Sequence, residues 1–230
     1  MKNDYIDIVT IARDKLLAAI DSDCSEEEVH QLFSENPIVF GLNEKLRYSN
    51  SLLEGMISKF PISPDRIPDF ILINLGIELT QTPHSISIIE LKRVNAKLFL
   101  DHNRMSKDLN DSWMECIESF RILGLNYQDF LRRLINKITD DFEYKKYLEY
   151  LKRGVLDDTK RFNSYYPRIP RIQSKIIIGR RKSLTNDDLL RIQELSASTN
   201  WAIGIETYDS IIDRLNHIIQ YYVYHKKDKE

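Results

Sequence analysis

Apolar positions along the chain fall into segments of two periods. From about Asp4 to Ile20, Ile6, Ile8, Val9, Ile11, Leu16, Leu17 and Ile20 recur at the spacing of an amphipathic helix, expected to pack on the rim of a core. Ser25-Glu26-Glu27-Glu28 opens a second helix: Ser25 can cap it and Glu28, three residues on, can close a capping box. Val29, Leu32 and Phe33 are its apolar side, and Asn36-Pro37 ends it. Residues 38–60 read as extended pieces and turns. Two β-rich runs follow, Asp69 to Ile77 and Ser85 to Lys92, joined by a polar tip containing Thr82-Pro83-His84 and expected to pair antiparallel.

Met105, Leu109, Trp113, Cys116, Phe120 and Leu123 recur at steps of three and four, with Gly124 as a stop. A further helical pattern, with Phe130, Leu131, Leu134, Ile135, Ile138, Phe142, Leu148 and Leu151, runs to about Arg153, and residues 157–171, with Pro167 and Pro170, read as a loop. Lys175-Ile176-Ile177-Ile178-Gly179 is a short buried strand. Thr185, with Asp188 three on, starts a helix through Leu195; Trp201 to Glu206 is a last strand, and a final helix spans about Asp209 to Tyr224. This order predicts an α/β sandwich with a mixed central sheet.

Composition narrows the class. Hydrophobic residues make up 42% and charged residues 30%, ordinary for a soluble domain, and 230 residues can bury a core. No run approaches the roughly 20 apolar residues of a membrane helix, and Met1-Lys2-Asn3-Asp4 lacks a signal-peptide core, so a cytoplasmic protein is expected. Cys24 and Cys116 offer neither a disulfide framework nor zinc spacing and read as structural thiols. His30, His84, His102, His217 and His225 show no zinc spacing either, and no glycine-rich phosphate loop exists.

Net charge is −2, so distribution matters more than total. Between Lys145 and Lys182 twelve basic residues stand against the acids Glu149, Asp157 and Asp158, with Tyr147, Tyr150, Phe162, Tyr165 and Tyr166 interleaved. Such a stretch either neutralises phosphates while its rings stack on bases, or is a solvated helix face followed by a loop.

Candidate chemistry gathers at the β-rich pair. Pro68-Asp69 heads one run and Glu90-Leu91-Lys92 ends the other. Mg²⁺, with Mn²⁺ as a possible substitute, takes carboxylate and carbonyl oxygens and keeps waters or phosphate in its other positions, so Asp69, Glu90 and the carbonyl of Leu91 are a candidate ligand set. Strand alternation turns Glu90 and Lys92 to one face and Leu91 to the other, placing an ammonium beside the metal. Each short pattern has a decoy: Glu143-Tyr144-Lys145 sits in a helical pattern and Pro64-Asp65 in a turn. Glu28 has its capping role, whereas Glu26, with His30 at i+4 and Phe33 at i+7, lies along the edge of the buried face. Glu26 is the preferred third acid; the same position equally suits an acid complementing the helix dipole.

Several stretches together resemble the Shedu family of antiphage nucleases, within the PD-(D/E)XK restriction-endonuclease-like superfamily: residues 25–37, Ile67-Pro68-Asp69-Phe70, Ile88-Ile89-Glu90-Leu91-Lys92-Arg93, Ile176-Ile177-Ile178-Gly179-Arg180-Arg181 and Thr207-Tyr208-Asp209. The resemblance implies a restriction-endonuclease-like mixed sheet flanked by helices, and a metal-dependent DNA endonuclease working as a homo-oligomer, with a phage-derived trigger possible. It places the metal carboxylates on Asp69 and Glu90, the lysine on Lys92 and the helix acid on Glu26. Two positions depart from the pattern: Glu115 stands where relatives often have glutamine, and Val94 where proline often follows Glu-x-Lys-Arg. The implied organisation is an N-terminal helix, 1–24, then a nuclease domain, 25–230, with a helical and basic insertion at about 126–171 after the catalytic strand. A catalytically silent nucleic-acid- or effector-binding module on the same fold is the alternative.

Overall fold

The computed structural model describes residues 2–49, 52–76, 85–100, 104–141 and 171–227. Helices α1 (Lys2–Asp21) and α2 (Glu26–Glu35) lead through a 3-10 turn, Pro37–Phe40, into strands β1 (Leu46–Ser49), β2 (Leu52–Ser58), β3 (Phe70–Gly76) and β4 (Ser85–Leu91). A minor pair, β5 (Phe99–Leu100) and β6 (Arg104–Met105), precedes α3 (Lys107–Asp141). Then come β7 (Arg171–Ile177), α4 (Asn186–Ser198), β8 (Ile203–Glu206) and α5 (Tyr208–Lys227). The main sheet is six-stranded and mixed, in the order β1-β2-β3-β4-β7-β8: β1 to β4 pair antiparallel, and β4, β7 and β8 run parallel.

Alternation along the strands sorts the side chains into two faces. Phe70, Ile89, Leu91 and Ile177 meet α1, α2 and α5, whose Val9, Leu16, Val29, Phe33, Ile211 and Leu215 are fully buried against them. Ile71, Ile73, Ile86 and Ile88 meet the C-terminal half of α3 through Phe130, Leu134 and Ile138. Ile176, Ile178 and Ile203 meet its N-terminal half and α4 through Leu109, Trp113, Cys116 and Leu195. The sheet is therefore sandwiched between helical layers, as the alternation of periods predicts.

Both expected capping boxes are present, at Ser25/Glu28 and Thr185/Asp188, and β3 and β4 form the expected antiparallel pair. Five expectations are corrected. Helix α1 does not lie on the rim: Val9, Ala12 and Leu16 have no exposure, because α5 packs along it. Pro37–Phe40 is a 3-10 turn rather than extended chain. Gly124 does not stop its helix; α3 continues through it and departs from helical geometry only at Asn126 (φ −129°, ψ 28°). Strand β7 begins at Arg171 rather than Lys175, and Trp201 lies in a turn before β8.

Residues 126–141 of the expected insertion are the second part of α3 and pack on the sheet, while residues 142–170, including Glu143-Tyr144-Lys145 and most of the basic-aromatic stretch, lie outside the described residues. No described helix is long and apolar enough to cross a membrane.

Candidate functional site

Register builds the site. Phe70 pairs with Ile89, and continuing that ladder by one residue sets Asp69 opposite Glu90. Ser58 pairs with Phe70, and the Lys59 amide donates to the Asp69 carbonyl at 2.9 Å, which sets Lys59 opposite Asp69. A row Lys59–Asp69–Glu90 thus crosses three strands at one end of the sheet, with Glu90 turned toward α3 through Arg66 and Ser119. Two acids opposite one another repel, and each is met by a cation. The Lys59 ammonium bonds Asp69 Oδ1, and the Arg66 guanidinium bonds Glu90 Oε1.

Arg66 reaches Glu90 because the chain between β2 and β3 folds into a turn, in which Arg66 N donates to Ser63 O at 3.1 Å and Ile62 N to Arg66 O at 2.9 Å. The decoy Pro64-Asp65 is the tip of that turn. Arg133 on α3 anchors it, donating to the carbonyls of Pro61 (2.9 Å) and Ile62 (2.7 Å). The Arg66 Nε donates to Ser119 Oγ at 3.0 Å, and its Nη1 lies 3.6 Å from Glu115 Oε2. Glu115, the departure from the family pattern, is thereby charge-matched by Arg66.

Asp69 and Glu90 are 6% and 3% exposed. The second oxygen of Asp69 accepts the Leu91 amide at 2.6 Å. In a strand the amide and carbonyl of one residue point to the same side, so the Leu91 carbonyl also faces the Asp69 edge. Burial pushes the Glu90 carboxyl up to about 8, the Arg66 charge opposing the rise and Asp69 and Glu115 adding to it. Lys92 is half-buried and its backbone is pinned on two sides: its amide donates to Ile177 O at 2.9 Å, and its carbonyl accepts the hydroxyl of Tyr208 at 2.6 Å.

Glu26 opens α2 and is half-buried, whereas Glu27 and Glu28 are exposed. Burial raises its carboxyl, Lys92 is the charge that most opposes the rise, and Asp69 adds to it. Glu26 therefore shares the electrostatic neighbourhood of Asp69, Lys59 and Lys92. His30, one turn along, is a packing residue: it stacks on Phe70 at 4.6 Å, and its Nε2 lies 3.0 Å from Ser58 Oγ.

The site residues read from sequence, Asp69, Glu90, Leu91, Lys92 and Glu26, thus lie around one end of the sheet. Sequence reasoning missed Lys59 and Arg66. Each signal existed only in three dimensions: Lys59 follows from strand register, and its backbone turns at φ 49°, while Arg66 lies three residues before Asp69 in a turn that faces inward.

A hard divalent cation fits this donor set in one specific way. No group of three or more His, Cys, Asp and Glu side chains among the described residues stands close enough to cage a metal. Two carboxylates and one carbonyl remain, which suits an ion that keeps waters and takes phosphate oxygens. Lys59 and Arg66 supply the positive charge that such an ion would otherwise bring.

Downstream, the other motif residues hold the frame. Gly179 has φ 63°, and a Cβ there would come 2.4 Å from the Ala96 carbonyl oxygen, so only glycine lets the chain leaving β4 pass over β7. Arg180 pairs with Asp209 at 2.9 Å, Arg181 with Asp213 at 2.7 Å, and Tyr208 is fully buried. These described cations of the basic stretch are therefore engaged in structural ion pairs. The family model described as Shedu protein SduA, C-terminal, matches residues 23–212. No curated protein matches the chain.

Proposed function

Because the chain belongs to the Shedu protein family, we propose that it is a divalent-metal-dependent DNA endonuclease of PD-(D/E)XK type acting in antiphage defence. The observation that carries the proposal is the cross-strand row Lys59–Asp69–Glu90 with Lys92 two residues beyond Glu90, just past the end of β4. Two buried acids placed opposite each other are costly for folding alone, and their use lies in chemistry.

Asp69, Glu90 and the Leu91 carbonyl would hold the ion, which when bound supplies Lewis acidity to a scissile phosphate and acidifies a water. The chain's own residues do the rest. Lys92, fixed by bonds to both its amide and its carbonyl, brings an ammonium to the charge that grows on phosphorus. Glu26, whose carboxyl is raised by burial, stands at the α2 side, where it would hydrogen-bond and orient the attacking water. Lys59 is half exposed at the edge of the row, where its ammonium would donate to a phosphate oxygen of the substrate.

Replacing Asp69 or Glu90 by Ala is expected to abolish Mg²⁺-dependent cleavage of supercoiled plasmid while the circular dichroism spectrum stays that of the parent. Full activity in both variants would refute the assignment. The ion pairs that already neutralise both acids favour one alternative, a catalytically silent nucleic-acid-binding module. Calorimetric titration with Mg²⁺ and Mn²⁺ separates the two, since the silent module takes up neither ion.

A further inference from the structure

Strand β7 lies between β4 and β8, where both faces of a strand are normally apolar. One face obeys except at Ser174, with Ile176 buried. The other carries Arg171, Gln173 and Lys175 in alternation before Ile177 closes it. Beside them β4 presents Ser87, and β8 presents Gly204 and Glu206. The helices of this layer cover Leu91 and Ile177, and the sheet beyond them opens into a cavity of about 320 Å³. That volume is at the lower end of small-molecule sites, roughly 300–1,000 Å³.

Phe40, Leu72 and Ile89 make its apolar floor, and Gln173, Lys175 and Arg214 its polar side. Glu206 stands between the two cations, 2.8 Å from Lys175 and bonded to Arg214, which leaves one positive charge in surplus. Arg214 is held in place by donating to the Val39 carbonyl at 2.8 Å. At the mouth stands Trp201, 60% exposed, with φ 61°. A left-handed backbone costs a bulky residue on the order of 1–3 kcal/mol, and a ring this exposed recovers little of that by packing. Gly204 points the same way. A Cβ there would meet nothing nearer than the Ser174 carbonyl oxygen at 3.9 Å, so neither backbone nor neighbours demand glycine. The missing side chain leaves the cavity open.

We propose that this cavity binds a nucleoside phosphate, its base stacked on Trp201 above the apolar floor, its edge read by the Gln173 amide and its anion held by Lys175 and Arg214. The site lies on the sheet face opposite Asp69 and Glu90 and does not depend on the hydrolytic reading. The ligand's source is either a free nucleotide or the phosphorylated end of a strand.

The test is a metal-free titration of the full chain with 5′-AMP, adenosine and inorganic phosphate, followed by Trp fluorescence, Trp113 being only 9% exposed. Saturable quenching by 5′-AMP is expected, with adenosine and phosphate each weaker by about ten-fold or more, the scale of losing one stacking or charge contact. Gly204→Leu, which fills the cavity, is expected to weaken 5′-AMP binding at least about ten-fold at an unchanged unfolding midpoint. Trp201→Gly keeps the left-handed turn and removes the ring; calorimetry should report a similar loss. A 5′-phosphorylated oligonucleotide binding more tightly than 5′-AMP, and in a Gly204-dependent way, would identify a strand end as the ligand; the reverse order identifies the free nucleotide. No saturable binding of either, or binding unchanged in both variants, overturns the proposal.

Discussion

At the scale of single residues, Glu90 gathers the opposing forces of the site. Burial holds its carboxyl near 8 in the folded protein against an ordinary value of 4.5. A carboxyl raised on folding binds its proton more tightly in the native state, so its contribution to stability is complete below about pH 4.5 and is lost as pH rises toward about 8. Glu90→Gln removes that titration. In denaturant melts across this range the variant should gain on the parent steadily as pH rises, and a pH-independent difference would contradict the burial argument. Asp69, Glu90 and Lys92 could be singled out because their short patterns head or end β-rich runs, whereas Glu143-Tyr144-Lys145 stands in a helical pattern. Lys59 and Arg66 were not legible, since a cross-strand neighbour exists only once register is fixed and an inward turn only once α3 anchors it.

At the scale of elements, local chemistry was the readable part. The two capping boxes depend on residues three apart, and sequence shows such spacing directly. Gly124 misled because a helical glycine costs only about 1 kcal/mol, which the buried Leu123, Phe130, Leu131 and Leu134 on either side outweigh. The early start of β7 was hidden by its polar alternate face, so only its last residues read as an apolar run. Gly179 is the element-scale test. Gly179→Ala forces a Cβ toward the Ala96 carbonyl in a left-handed turn, and a loss of more than about 1 kcal/mol is expected, measured by urea melts. Because the chain leaving β4 rests on this glycine, the proposed function predicts that the loss comes with weakened Mg²⁺ uptake, and an unaffected variant would deny Gly179 any part in placing Glu90.

For the whole molecule, α1 is structural in a way its amphipathic pattern understated. Val9, Ala12, Leu16 and Ile20 are core residues packed with α5, and Tyr208, the first residue of α5, reaches the Lys92 carbonyl. Leu16→Ala should destabilise by about 2–5 kcal/mol, and removal of residues 1–21 should abolish cooperative thermal unfolding; a truncated chain melting like the parent would show α1 dispensable. Sequence could not reveal this partnership, because the two helices are neighbours only through the fold. The parallel pairing of β4 with β7 has a consequence for synthesis. The strands β1 to β4 can pair as they emerge, but the partner on the far side of β4 begins at Arg171. At about 5–20 residues per second, the ribosome needs several seconds to supply it. Through that interval Ile86, Ile88 and Ile89 sit on an unpaired edge, so the nascent chain is most exposed to aggregation and to chaperone capture at the strand that carries Glu90.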